Sequence, residues 1–239
     1  MLSLSVSGLF SLFLTASAED MPRLQPEKLD PVPHLQQAMA YMKAKRYQEA
    51  QKELDTALEL NPNYYEAWGQ QALLYVLVGK DNQAIDKYRQ LVEVKPELVD
   101  AHVNLGSLLA KKNQLKDAEW ELRKAIAINY RSVEGYYNLA NILVRQGRYE
   151  EALVQYKMCL KLAPNNAKVY NNMGVIYQNR DYLEEAHEAF LHALALDPAN
   201  EMFEKNLGLL RAQLRGKTYQ AKHQTQAQPQ ISTLKSVTK

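Results

Sequence analysis

Apolar side chains recur along the chain at the spacing of amphipathic helices. Between residues 136 and 143 they fall every three or four positions, which places them on one face of a predicted helix. Residues 152–159 show the same spacing. Gly147 lies between the two stretches, and glycine favours the left-handed conformation that ends helices. The pattern predicts two helices joined by a tight turn, with inward positions Tyr136, Leu139, Ala140, Leu143, Ala152, Tyr156 and Cys159.

The same pattern repeats every 34 residues, so the predicted helix pair is one unit of an array. Gly79, Asn113 and Asp181 occupy the turn position of other units and tolerate the left-handed conformation, whereas Lys45 departs and predicts a less regular turn. Asn63 followed by Glu66 is expected to form a capping box. Ser132 is expected to cap a further helix. The rows that define the period are Ala38, Ala72, Gly106, Ala140, Gly174 and Gly208, and Ala50, Ala84, Ala118, Ala152 and Ala186.

Several positions recur together in phase, and with them the chain resembles the tetratricopeptide repeat family, whose unit is a 34-residue helix–turn–helix. The segment Tyr65-Glu66-Ala67-Trp68 has the family's tryptophan position, and Tyr149-Glu150-Glu151-Ala152 matches the start of its second helix. The resemblance covers residues 31 to 214. It implies an all-α fold, a right-handed superhelical α-solenoid in one continuous domain.

The domain boundaries follow from this repeat. The repeat domain is placed at 34–214, with five repeats near 31–64, 65–98, 99–132, 133–166 and 167–200. A capping helix is expected at 201–214, because Arg211 puts a charge where the other units carry tyrosine or leucine. Residues 19–33 hold four prolines and predict an extended tether. Residues 215–239 are polar and predict a disordered tail.

The first eighteen residues carry no charged side chain and end in Ala16-Ser17-Ala18, the small-x-small pattern of a signal peptidase site. Residues 1–18 are therefore predicted to be a signal peptide, and the mature chain is expected to be exported, periplasmic or secreted. No lysine or arginine precedes the apolar stretch, which keeps two alternatives open. In the first alternative the segment is an uncleaved membrane anchor, and in the second it is the remnant of a longer segment.

Composition narrows the possible functions. The 239 residues have a formal net charge of +2, and no basic stripe with interleaved aromatic residues occurs, which argues against nucleic-acid binding. One cysteine, Cys159, excludes an internal disulfide framework and any multi-cysteine metal site.

Candidate catalytic groups are sparse, and we expect no enzyme activity, no cofactor and no metal. His187 and His192 are five residues apart, whereas a helical zinc pair needs four. His34 and His102 share the repeat position of Trp68, which the family resemblance assigns to ring packing in the core. Cys159 replaces a small packing residue, so a buried thiol is expected there. No phosphate-binding loop or nucleophile motif is present.

The remaining candidate site is the face of the first helices, which in the family lines a concave, peptide-binding groove. One repeat position carries amides in succession, similar to the asparagine ladder of O-linked N-acetylglucosamine transferases. Amides both donate to and accept from a peptide backbone. They can equally support the neighbouring helix, and both readings stay open. The candidate groove residues are Gln70, Asn104, Asn138, Asn172 and Asn206, with Tyr137, Asn141, Asn171 and Lys205 beside them.

Two functional hypotheses follow. The first is a non-catalytic scaffold that binds an extended peptide or protein segment in this groove. The second is an assembly factor of a membrane or envelope complex that acts through its convex face, self-association or its C-terminal tail. Membrane association is then expected through an uncleaved N-terminal segment.

Overall fold

The computed structural model describes residues 30–226 and folds them into helices joined by short turns, with no strand in that range. The predictions for residues 1–18, for the tether as far as residue 29, and for residues 227–239 lie outside the described residues. The helices are α1 (Pro31–Lys43), α2 (Tyr47–Leu60), α3 (Tyr65–Leu77), α4 (Asp81–Val94), α5 (Val99–Lys111), α6 (Leu115–Ile128), α7 (Val133–Arg145), α8 (Tyr149–Leu162), α9 (Ala167–Asn179), α10 (Leu183–Leu196) and α11 (Glu201–Gln226).

The helices pair as the 34-residue repeat predicts, with odd-numbered first helices and even-numbered second helices. The chain divides into two compact units, one ending at Lys87 and the other beginning at Tyr88, within α4. In the first unit, α1 packs against α2, and α2 packs against α3. Their contact is a single cluster of buried side chains that includes Leu35, Leu54 and Leu74. The all-α repeat fold is confirmed, while its organisation as one continuous domain stays a prediction.

In the second unit the helix pairs α5–α6, α7–α8 and α9–α10 follow one another, and α11 packs on α10. Small residues on the first helices let the paired second helix approach closely. Gly174 faces the fully buried Phe190, and Gly106 faces Leu122 in the same way. An isolated helix pair cannot cover its own apolar side chains. Each pair therefore buries them against the neighbouring repeat, and this stacking stabilises the array.

All five described turns between first and second helices have the same geometry. In the first repeat, the amide of Arg46 donates to the carbonyl of Tyr41 at 2.9 Å, which closes the turn as a Schellman motif does. The prediction of a less regular turn at Lys45 is wrong, since that hydrogen bond holds lysine in the left-handed region. The φ angles are 59° at Lys45, 77° at Gly79, 63° at Asn113, 75° at Gly147 and 65° at Asp181.

The helix caps confirm one prediction and correct another. The Ser132 hydroxyl accepts from the amide of Gly135 at 3.1 Å, as expected for an N-cap. The capping box expected from Asn63 and Glu66 is wrong. The side chain of Asn61 accepts from the Asn63 amide at 3.1 Å, and α3 begins without a side-chain cap.

Both ends of the helical array differ from the predicted boundaries. α1 begins at Pro31 rather than after Pro33, because the first helical turn has no use for the amide that proline lacks. α11 continues to Gln226, so residues 215–226 are helical and not part of a disordered tail. An ion pair ties this extension to the turn between α9 and α10, since Lys217 pairs with Asp181 there.

Candidate functional site

The candidate site lies on the first helices, which carry the amide position at equivalent points of successive repeats. Asn104 is exposed on α5, while Asn138, Asn172 and Asn206 are half-buried on α7, α9 and α11. Gln70, on α3 of the first unit, is half-buried as well. We call the four asparagines of the second unit the ladder. They are equivalent by sequence, and their side chains have different surroundings.

Each of three ladder amides donates a hydrogen bond to the preceding first helix. Asn138 Nδ2 donates to Ser107 Oγ at 3.0 Å, and Asn172 Nδ2 donates to Asn141 Oδ1 at 3.1 Å. Asn206 Nδ2 donates to a different position, Asn171 Oδ1, at 2.8 Å. These bonds connect helices about one repeat apart in the sequence, so the supporting role considered in the sequence analysis is present.

Buried tyrosine hydroxyls of the second helices also form hydrogen bonds with ladder asparagines. Tyr156 is buried, and its hydroxyl donates to Asn141 Oδ1 and accepts from Asn172 Nδ2, the latter at 3.0 Å. Tyr88, two repeats earlier, is hydrogen-bonded to Asn104, which occupies the repeat position of Asn172. Burial raises the pKa of the Tyr88 phenol to about 12, although its hydrogen bond to Asn104 acts in the opposite direction. Burial also raises the pKa of the Tyr156 phenol, so both phenols stay protonated at neutral pH.

The other predicted site residues separate into accessible and buried positions. Lys205 is exposed, and Tyr137 is half-buried with its ring centre 6.2 Å from that of Tyr156. Asn141 is half-buried within the hydrogen-bond network. Asn171 is buried, so its amide holds α11 and is not presented on the surface.

Sequence reasoning missed exposed apolar residues on the first helices of the first unit. Met39, Leu73 and Leu77 are all at least one-third exposed. Met39 and Leu73 lie three residues after the amide position of their own repeats, where the second unit has Ser107 and Asn141. The change from apolar to polar side chains at this position is visible in the sequence when residues 34 apart are compared.

His102 and Cys159 are confirmed as core positions, whereas the core prediction for His34 is wrong, because its side chain is 32% exposed and pairs with Glu53 at the surface. His102 is buried, its Nδ1 lies 2.6 Å from Glu121 Oε2, and its Nε2 lies 3.0 Å from the carbonyl of Pro96. Trp68 makes the equivalent bond to a proline carbonyl through its indole nitrogen. Burial raises the pKa of the Cys159 thiol, which favours its protonated form.

An open, mostly apolar cavity of about 530 Å³ lies along α9 and α10. Tyr170 stacks on His192 at its wall, with ring centres 5.1 Å apart. Among residues 30–218, whose side chains the structure describes, no three side chains of histidine, cysteine, aspartate or glutamate come together as metal ligands would. None of the described helices is long and apolar enough to cross a membrane.

Family models match most of the described chain. A model for the TPR repeat matches residues 72–113 and 140–181. Models for the tetratricopeptide repeat match residues 32–64 and 167–200, and residues 121–154. One curated relative is the tetratricopeptide repeat and J domain-containing co-chaperone DNJ1 of Cryptococcus neoformans var. grubii, which is 32% identical over 66 residues. That match spans 28% of this chain and 13% of the relative.

Solved structures of similar fold cover most of the chain. YrrB, described as a TPR protein with an unusual peptide-binding site, has a TM-score of 0.60 and 26% identity over 74% of this chain and 90% of YrrB. MamA has a TM-score of 0.62 and 21% identity, covering 70% of this chain and 92% of MamA. PilF of Pseudomonas aeruginosa has a TM-score of 0.67 and 15% identity over 80% of this chain and 97% of PilF. The last two resemblances concern the fold alone.

Proposed function

The chain belongs to the tetratricopeptide repeat family, and from this premise we propose that it binds an extended peptide or protein segment along its first helices. The coarser statement, a protein-interaction scaffold, follows from the repeat fold. The peptide-binding site named for YrrB supports the finer proposal by analogy. No catalytic constellation was found by sequence, and the proposed role is non-catalytic.

The observation that carries this proposal is the orientation of two ladder amides in the second unit. Asn138 and Asn206 each use the side-chain nitrogen for a bond to another helix. In the described chain no hydrogen bond engages their side-chain oxygens. These oxygens are therefore acceptors held in fixed positions, and backbone amides of an extended segment are suitable donors. Prior fixation of the side chain reduces the entropy lost on binding.

Such contacts give modest affinity and little sequence selectivity. A neutral hydrogen bond contributes about 1 kcal/mol net, so two acceptors change the dissociation constant by roughly one to two orders of magnitude. Tyr137 and Lys205 add an aromatic surface and a positive charge beside the ladder. A partner segment that carries an aliphatic or acidic side chain at these points would gain further contacts.

The proposal is tested with a photo-reactive amino acid in place of Tyr137, introduced into the full chain and irradiated in cells of the source organism. We expect a discrete protein adduct at this position. The matched control places the same group at Glu188, an exposed position on the second helix α10. Adducts at Glu188 and none at Tyr137 would contradict the proposal and favour the assembly-factor alternative.

Alanine variants then assign the contact to the ladder oxygens. Asn206→Ala is expected to weaken formation of the Tyr137-position adduct by removing one acceptor, while Glu188→Ala on α10 leaves it unchanged. The melting temperature of each variant is measured in parallel, because loss of the Asn206 bond to Asn171 also affects the packing of α11.

We also propose an exported location, which rests on the N-terminal sequence alone. The expected mature chain begins after Ala18. N-terminal sequencing of the protein from its native source tests this expectation. A chain that retains residues 1–18 and fractionates with membranes would instead support the anchored alternative.

A further inference from the structure

A second surface with the character of a docking site lies on the second helices α6 and α8. Trp120 is 61% exposed and Val154 is 56% exposed. They occupy the same repeat position on neighbouring second helices, where α2, α4 and α10 carry Lys52, Asp86 and Glu188. The outward position therefore becomes apolar in two successive repeats, and a tryptophan so exposed adds little to the stability of its own chain.

Side chains of α6 and α8 are tied together beside these two residues. Arg148 Nη1 lies 2.7 Å from Glu119 Oε2, and Arg148 Nη2 lies 2.7 Å from Glu151 Oε2. Arg123 pairs with Glu119 at 2.8 Å and approaches Glu151 at 3.8 Å. Hydrogen bonds from Arg148 keep the pKa of Glu151 below its usual value. The network fixes the two helices relative to each other and neutralises their carboxylates.

The remaining carboxylates of these helices are largely paired as well. Glu121 is held by His102, and Glu150 lies 2.7 Å from Arg180. Among the described residues of α6 and α8, Asp117 in the first turn of α6 has no such partner. The negative charges of this surface are thus mostly used within the chain.

Lysines surround the apolar positions and have no equivalent partners. Lys124 Nζ lies over the Trp120 ring, 5.1 Å from its centre. Lys116, Lys157 and Lys161 are exposed, and in the described part of the chain no carboxylate pairs with them. We call Trp120, Val154 and these four lysines the outer patch. It combines an apolar centre with a surplus of positive charge.

We propose that the outer patch is a second docking surface, which binds an acidic protein segment carrying an aromatic or large aliphatic side chain. The apolar side chain packs on Trp120 and Val154, and the acidic residues approach the lysines. A tryptophan contributes most to binding when its ring becomes desolvated. The Lys124–Trp120 contact also strengthens as water is removed. This surface is separate from the ladder, so a scaffold that uses both would hold two partners at once.

A random peptide library displayed on phage provides the probe. The full chain is immobilised for selection, and the Trp120→Ala variant removes phage that bind elsewhere. Trp120→Ala should fold normally, because the side chain it shortens is mostly exposed. We expect the selected peptides to be rich in aspartate and glutamate around an aromatic or leucine residue.

A synthetic copy of one selected peptide is then titrated against variants of the full chain. Trp120→Ala should weaken binding by about tenfold or more, as for an interface hot spot. Lys124→Glu should also weaken binding, and added salt should weaken it further because the charges are exposed. The matched control Glu188→Ala changes the same repeat position on α10 and should leave the affinity unchanged.

Three results would overturn the proposal. The first is a selection that yields no Trp120-dependent peptides, and the second is a set of peptides without acidic enrichment. The third is binding to vesicles of phosphatidylserine and phosphatidylcholine, lost in Trp120→Ala, with no peptide binding, which would identify the outer patch as a lipid-binding surface.

Discussion

Replacing Gly174 with alanine measures how closely the two helices of the fifth repeat are packed. A Cβ at this position would lie 2.7 Å from Phe190 Cδ1 and from Phe190 Cε1. Such distances are well inside van der Waals contact, so the ring or the helix must shift. Phe190 is fully buried, and its ring has no solvent-exposed space into which to move.

Two opposing effects set the size of the change. Overpacking a well-filled core costs about 1–3 kcal/mol. Alanine in the middle of a helix is more favourable than glycine by about 0.5–1 kcal/mol. The clash is therefore expected to dominate, and Gly174→Ala should lower the free energy of unfolding by on the order of 1–2 kcal/mol.

Gly208 supplies a control at the same repeat position. It lies on α11, which has no second helix of its own repeat after it in the described chain, and a Cβ there would meet no atom within 4 Å. Gly208→Ala should therefore stabilise the protein by roughly 0.5–1 kcal/mol. Urea titrations followed by circular dichroism at the helical band measure both variants. A Gly174→Ala protein as stable as the parent, or a destabilised Gly208→Ala protein, would refute the packing argument.

Three further predictions concern side chains that lie wholly or partly within the packed helices. Asn172→Ala removes hydrogen bonds to Asn141 and Tyr156 and should lower the free energy of unfolding by about 1 kcal/mol in a urea titration; an unchanged midpoint would contradict the supporting role. Because burial raises the pKa of Tyr88 from 10.0 to about 12, the unfolded chain loses this proton first as pH rises between those values. Stability should therefore fall across that window, less steeply in Tyr88→Phe, and equal slopes would be inconsistent with the raised pKa. Cys159 should react with a thiol reagent in urea and hardly at all in the native protein, so rapid native labelling would show that the thiol is accessible.

The limits of sequence reasoning are visible in the candidate site. The ladder asparagines were identifiable because they recur at one repeat position. Their bonding was not, since it depends on which side chain the preceding first helix presents. Asn138 meets Ser107, Asn172 meets Asn141, and Asn206 meets Asn171 at a different position. One repeat pattern therefore contains three different local environments.

The sequence by itself determined the helix pairs, their period and the left-handed turns, because periodicity and turn chemistry act between residues close in the chain. It did not determine that Lys45 adopts the same turn as Gly79, that α11 extends to Gln226, or that Trp120 lies exposed among unpaired lysines. Those outcomes depend on contacts between helices far apart in sequence, and on which carboxylates are already engaged in ion pairs within the chain. The local sequence pattern determines where each helix and turn lies. The exposure of a side chain and its hydrogen-bond partners are decided only when helices far apart in the sequence pack together.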